Sequence, residues 1–101
     1  MRIRLTARAV VDLESAREYY SAVDPELGHR FLSDLDAAME RLETFPAGAP
    51  PVEGFADLRR ARLRHFPYGI FYRRSPSGDG LLVVRVLHAR RDHPPAVVQS
   101  D

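Results

Sequence analysis

Cysteine is absent from this 101-residue chain, which excludes disulfides, a thiolate metal site and a cysteine nucleophile. No apolar run approaches the roughly 18 residues that a membrane span needs, so no membrane association is expected. The opening Met1-Arg2-Ile3-Arg4-Leu5-Thr6 lacks the apolar stretch of a secretory leader, and the cytoplasm is the expected compartment. Lysine is missing too: all fifteen basic side chains are arginine. No internal repeat and no low-complexity tract interrupts the chain.

What is there is a balance of 45% hydrophobic and 29% charged residues, too apolar for disorder throughout. The length suits one core and one domain over residues 1–101, with an irregular tail over 93–101. The net charge of +1 hides an asymmetry. Residues 1–57 hold six arginines against eleven acids, a net of −5, and residues 58–101 hold nine arginines against three acids, a net of +6. Arginine is always charged and forks bidentately onto carboxylates and phosphates. The basic half therefore either meets an anionic partner or pairs with the chain's own acidic half.

Residues 2–6 alternate Ile3 and Leu5 with polar neighbours, the period of a short half-buried strand. Thr6 is placed to cap a helix over about 7–22 whose apolar face is Val10, Leu13, Ala16, Tyr20 and Val23, with Asp12, Glu14 and Glu18 mostly on the wet side. Val23-Asp24-Pro25-Glu26 breaks it and starts another: Asp24 suits the N-cap, Pro25 the first turn, Glu26 the positive end of the dipole. The second helix runs to about Phe45 on a stripe of Leu27, Phe31, Leu35, Ala38, Met39, Leu42 and Phe45. So tight a corner predicts an antiparallel helical hairpin.

Residues 46–57 contain three prolines and two glycines and read as a loop. Strands follow. Residues 58–66 place Arg60, Arg62 and Arg64 on one face and Ala61, Leu63 and His65 on the other. Residues 68–74 are rich in aromatics, with Tyr68 and Tyr72 on one core-facing side. Residues 81–88 form an apolar run expected to be a central strand buried on both faces, after a hairpin loop at 75–80. The order β-α-α-β-β-β predicts an α+β fold: an N-terminal strand and a helical hairpin packed on one face of a small, mainly antiparallel sheet. No helix is left for the other face, which is expected to be polar or covered by a partner.

Several side chains stand out chemically. Arg60, Arg62 and Arg64 repel one another unless acids counter them. His88 ends the buried strand, where a hydrogen-bonded structural histidine is the simpler role, although an imidazole can also serve as a base. Arg90 and Arg91 sit just beyond, beside Asp92. The histidines lack ligand spacing, so no metal is expected, and no cofactor is implied.

The ordered set Ala9-Val10-Val11-Asp12-Leu13, Tyr19-Tyr20, Pro25-Glu26-Leu27, Arg30-Phe31-Leu32, Leu58-Arg59-Arg60, Phe66-Pro67-Tyr68-Gly69-Ile70-Phe71-Tyr72-Arg73 and Val86-Leu87-His88-Ala89-Arg90-Arg91-Asp92 resembles the RelE/ParE superfamily of bacterial type II toxins. The resemblance implies a toxin neutralised by an antitoxin whose extended tail wraps it. RelE-like members cleave mRNA in the ribosome; ParE-like members bind DNA gyrase without covalent chemistry of their own. The Phe-Pro-Tyr segment and the His-x-Arg-Arg-Asp ending are more similar to the ParE-like branch. RNA cleavage needs a base, an acid and cations on the scissile phosphate. The RelE-like lysines are absent here, Gly69 stands where the middle-strand arginine would fall, and no tyrosine follows Arg91.

The expectation is thus a gyrase inhibitor that acts by binding, contacts no nucleic acid directly and has no catalytic residues. Arg90, Arg91, His88 and Arg73 are candidates for target contact. Arg60, Arg62, Arg64, Tyr19 and Tyr20 are candidates for antitoxin contact. The alternatives are a ribosome-dependent mRNA endonuclease using Arg90, Arg91 and His88, or a degenerate toxin that only binds its antitoxin.

Overall fold

The structure, a computed structural model, describes residues 2–90. Its elements are β1 (Ile3–Leu5), α1 (Ala7–Val23), α2 (Pro25–Thr44), β2 (Arg59–Arg62), β3 (Tyr68–Arg74) and β4 (Leu81–His88), the order expected. The sheet runs β1-β4-β3-β2. β1 pairs with β4 in parallel; the other two ladders are antiparallel. β4, the last strand in sequence, is therefore interior.

Asp24 makes the corner between the helices alone. Its N–H donates to the Tyr20 carbonyl, closing α1, while its carboxylate accepts from the Glu26 N–H at 2.9 Å, opening α2. The hairpin closes tightly because Gly28 faces Ser21: a Cβ at Gly28 would run into the Ser21 hydroxyl. The stripe of α2 buries Phe31, Leu35, Ala38 and Leu42 as expected. Phe45 does not join it; as the residue that ends α2 it is 68% exposed.

α1 differs from expectation. Its buried face is Ala9 and Ala16 flanked by Leu13 and Tyr20, and Val10 and Val23 lie exposed. Small residues let the helix approach the sheet closely, which larger ones would prevent. Asp12 is not on the wet side. Its carboxylate takes the Arg85 Nε at 2.7 Å, the Arg85 Nη2 at 3.0 Å and the Val86 N–H at 3.0 Å. Both side chains are nearly buried.

Arg85 reaches Asp12 because β4 carries a bulge. Phe71 pairs with Arg85 but Tyr72 with Val83, so Val84 is an extra residue. Such an insertion shifts the alternation of faces: Val83 and Val86 enter the helix-side core, Val84 and Leu87 the opposite one. Beyond the end of β1, Thr6 caps α1 by accepting the Ala9 N–H, and the same hydroxyl donates to the Val84 carbonyl.

Two further expectations are corrected. The predicted strand over 58–66 extends only over Arg59–Arg62. Buried Asp34 of α2 accepts the N–H groups of Arg64 and His65 at 3.3 and 2.8 Å, pulling them out of the ladder, so Arg64 and His65 lie in a turn. The sheet face away from the helices is neither bare nor simply polar. The proline-rich loop folds over it, and Val52 and Phe55 join Leu58 against Phe71, Val84 and Leu87. Hydrogen bonds hold the loop: Val52 N–H to Leu58 O, Arg59 Nη1 to Ala49 O at 2.7 Å, and Tyr72 hydroxyl to Pro46 O at 2.8 Å. Burial pushes the Tyr72 phenol above its ordinary pKa of 10, opposed in part by the Ala49 backbone and the Arg59 guanidinium.

Candidate functional site

β2 ends the sheet; the loop covers part of its outer side, where Pro51 bridges Arg59 and the Arg60 N–H donates to the Pro50 carbonyl at 3.1 Å, and beyond that the strand faces α2 across a groove. The groove floor is apolar, from Ala38, Leu42 and Phe45 of α2 together with Ala49 and Ala61, and the rim is Arg41, Arg60 and Arg62. The cavity measures about 440 Å³. At Arg41 it meets a second depression of about 610 Å³, where Arg30, Arg64 and His65 surround Asp34 and Ala37. Arg30, Asp34, Ala37 and Arg41 share a helix flank because they are three or four residues apart. The result is an apolar trough bordered by arginine residues along one side of the molecule.

Their guanidinium groups are largely unpaired with carboxylates among the described residues. Among the described residues, Arg41, Arg60, Arg62 and Arg64 have no carboxylate within 4.0 Å, and Arg30 meets only Glu26, at 3.8 Å on the surface. Arg41 instead donates to the Arg62 carbonyl at 3.4 Å, capping part of the strand edge. Asp34, which lines the second depression, is occupied by two backbone N–H groups. An edge strand with arginines along it is protected from pairing indiscriminately, yet it is well suited to an anionic, amphipathic segment.

The remaining candidates fall into separate places. Tyr20 packs into an aromatic cluster with Phe31, Phe66 and Tyr68, while Tyr19 stands 56% exposed against the Tyr20 ring edge. Both are on α1, away from β2. His88 is half-buried with its ring against Tyr68, and its Nδ1 accepts the Arg90 N–H at 3.1 Å. That bond leaves Nε2 as the ring's other polar position. Arg90 is exposed. Arg91 lies outside the described residues, as does His93. Arg73 pairs with Leu82 near the start of β4, six residues from His88 and so about 20 Å along the strand. The structure does not bring Arg73 together with His88 and Arg90.

Arg41, Phe45 and Asp34 were not visible as site residues in the apolar pattern. For Asp34 and Arg41 the signal is the flank of Arg30, Asp34, Ala37 and Arg41, three charged residues at helical spacing; Phe45 belongs to the apolar stripe. No helix among the described residues is long and apolar enough to cross a membrane, and none of their His, Asp and Glu side chains cluster in threes as a metal site would need.

Residues 3–93 match the family model described as ParE toxin of type II toxin-antitoxin system, parDE. The chain is 30% identical over 93 residues to Y4kP of Sinorhizobium fredii strain NGR234, a protein named as a toxin; the match covers 92% of this chain and 93% of that one. Its fold is that of a chain in the chromosomal ParDE TA system from P. aeruginosa, with a TM-score of 0.76 at 20% identity, covering 89% of this chain and 97% of the other.

Proposed function

The chain belongs to the ParE toxin family of type II toxin–antitoxin systems, and from that premise we propose that it inhibits DNA gyrase by binding and is neutralised by a cognate antitoxin seated along the α2–β2 trough. The observation that carries the antitoxin part is the apolar floor of that trough beneath arginines that the described chain leaves without carboxylates. A disordered antitoxin tail would fold onto it, its acids meeting Arg60, Arg62 and Arg64, its apolar residues filling the floor beside Phe45. Exposed Tyr19 would add a contact on the opposite flank. That a matching fold comes from a chromosomal ParDE TA system supports an antitoxin partner.

The gyrase part rests on family and on the missing nuclease set. Gly69 offers no cation in the middle strand, and the candidate base His88 already engages the Arg90 backbone through Nδ1. His88 and Arg90, at the free end of β4, are the proposed target contacts, with Arg91 beyond the described residues.

The deciding experiment is plasmid supercoiling by purified gyrase with ATP and the isolated chain. Loss of supercoiling with trapped cleaved DNA, reversed by the antitoxin encoded beside it, is expected. No effect at large molar excess of folded chain overturns the gyrase reading. RNA cleavage in a translating extract, abolished by Arg90→Ala, would then identify an mRNA endonuclease. Antitoxin binding without either activity would identify a degenerate toxin. For the trough, changing Arg60, Arg62 and Arg64 together to Glu is expected to abolish antitoxin binding; unchanged affinity overturns the assignment.

A further inference from the structure

On the sheet face away from the helices, Gly69 leaves a gap. In antiparallel ladders directly opposed residues share a face. Arg62 opposes Gly69, and Gly69 opposes Leu87, so Arg62, Gly69 and Leu87 form one row across three strands. The middle member has no side chain. The next row pairs Arg60 with Phe71, and the Arg60 stem lies across the gap: its Cγ and Cδ sit 3.2 Å from where a Gly69 Cβ would stand. The result is a depression of about 80 Å³ with Phe71 and Leu87 as apolar walls and Arg60 and Arg62 over it.

The dimensions and chemistry narrow the occupant. Whole small molecules take pockets of about 300–1,000 Å³, so this one admits a single functional group. Two guanidinium groups select a carboxylate or a phosphate. The apolar walls and the small volume are unlike the extended basic surfaces that track nucleic-acid backbones. We propose that the Gly69 depression is a receptor for one carboxylate of a protein partner, an Asp or Glu side chain whose apolar neighbour lies on Phe71 and Leu87. It is a second acid-recognition site, on the opposite side of β2 from the trough. Arg60 and Arg62 border both hollows, but their place in the rows of Phe71 and Gly69 sets their side chains on this face of the sheet.

The test follows the full chain, freed of antitoxin, by amide and arginine Nε–Hε resonances at constant ionic strength. The probes are acetyl-Leu-Asp-amide, its neutral counterpart acetyl-Leu-Asn-amide, and a single-stranded hexanucleotide. The expected result is saturable shifts at Gly69, Leu87, Arg60 and Arg62 with the Asp peptide, at least tenfold tighter than with the Asn peptide. Gly69→Val fills the gap and is expected to weaken binding at least tenfold, since the flexible Arg60 stem can yield to it. Arg62→Gln, at an exposed side chain, gives the same loss should the valine variant fail to fold. Phe45→Ser, which alters only the trough, leaves binding intact. Equal affinity for the Asn peptide, unsaturable shifts spread over all arginines, or unchanged binding in both variants overturns the proposal. So does tighter binding of the oligonucleotide at the same resonances. None of these readouts depends on gyrase or on the antitoxin, so failure here is distinct from failure of the functional reading.

Discussion

Beyond the end of β1, the chain answers its own polar groups: Thr6 takes the Val84 carbonyl, Asp12 takes the Val86 N–H and the whole Arg85 fork. At β2, on the other edge, Arg60 and Arg62 stand over concave surfaces with no carboxylate among the described residues, and a single long guanidinium from α2 reaches the strand's backbone. The difference is between a charge buried with its counterion and charges held exposed without one. Buried pairs are costly to break because the survivor is stranded in a poor solvent. Exposed ones contribute little to stability and remain free to meet another molecule. A buried, paired charge lies at one edge of this sheet and arginines without carboxylates among the described residues at the other.

Breaking the closed edge should have the largest effect. Asp12→Ala strands Arg85 and the Val86 N–H and is expected to cost about 3–5 kcal/mol in urea unfolding. Replacing both partners, Asp12→Leu with Arg85→Met, should recover most of that, since apolar side chains of similar volume substitute well for a buried ion pair. A double variant as unstable as Asp12→Ala would show that the pair does more than neutralise itself. Asp34→Ala, which removes the acceptor of two N–H groups in the turn after β2, is expected to cost about 2 kcal/mol, measured the same way.

Smaller effects sharpen the contrast. Tyr72→Phe removes the hydroxyl bond to Pro46 and should cost about 1 kcal/mol. Burial raises the Tyr72 pKa, so the folded state holds this proton more tightly than the unfolded state does. The associated stability is complete below pH 10 and is lost as pH rises through 10 and above. An unfolding series across alkaline pH should fall less steeply in Tyr72→Phe. At the open edge, Arg60→Gln, Arg62→Gln and Arg64→Gln together should leave stability within about 0.5 kcal/mol of the parent while weakening the antitoxin complex.

The same contrast explains what could be read from the sequence. The corner at Asp24 and the stripe of α2 are local patterns, and both appear where expected except at Phe45, where the helix ends. The interior position of β4 is legible from a run that is apolar except for Arg85 and the terminal His88. The face of α1 was not, because Ala9 and Ala16 carry a weak apolar signal although they make the close contact, while Val10 and Val23 carry a strong one and point outward. Asp12 and Arg85 lie 73 positions apart, and no periodicity links them. The alternation of β2 was real, but Asp34 competes for the N–H groups of Arg64 and His65 and ends the strand early. The loop's cover over Phe71 depended on Val52 and Phe55, two apolar residues in a segment dominated by proline and glycine. Of the site, the arginines of β2 were visible as charges; their apolar neighbour groove required knowing which strand lies beside α2.

The position of β4 has a consequence in the order of synthesis. Translation delivers β1 first and β4 last, yet β1 can join the sheet only through β4. Until the ribosome has made Leu81–His88, the nascent chain holds two helices, a β2–β3 hairpin and an N-terminal segment with nothing to pair with. Asp12 likewise waits for Arg85. Closure of the sheet in this way waits for β4, and a message cut before Leu81 yields a chain in which neither β1 nor Asp12 finds its partner.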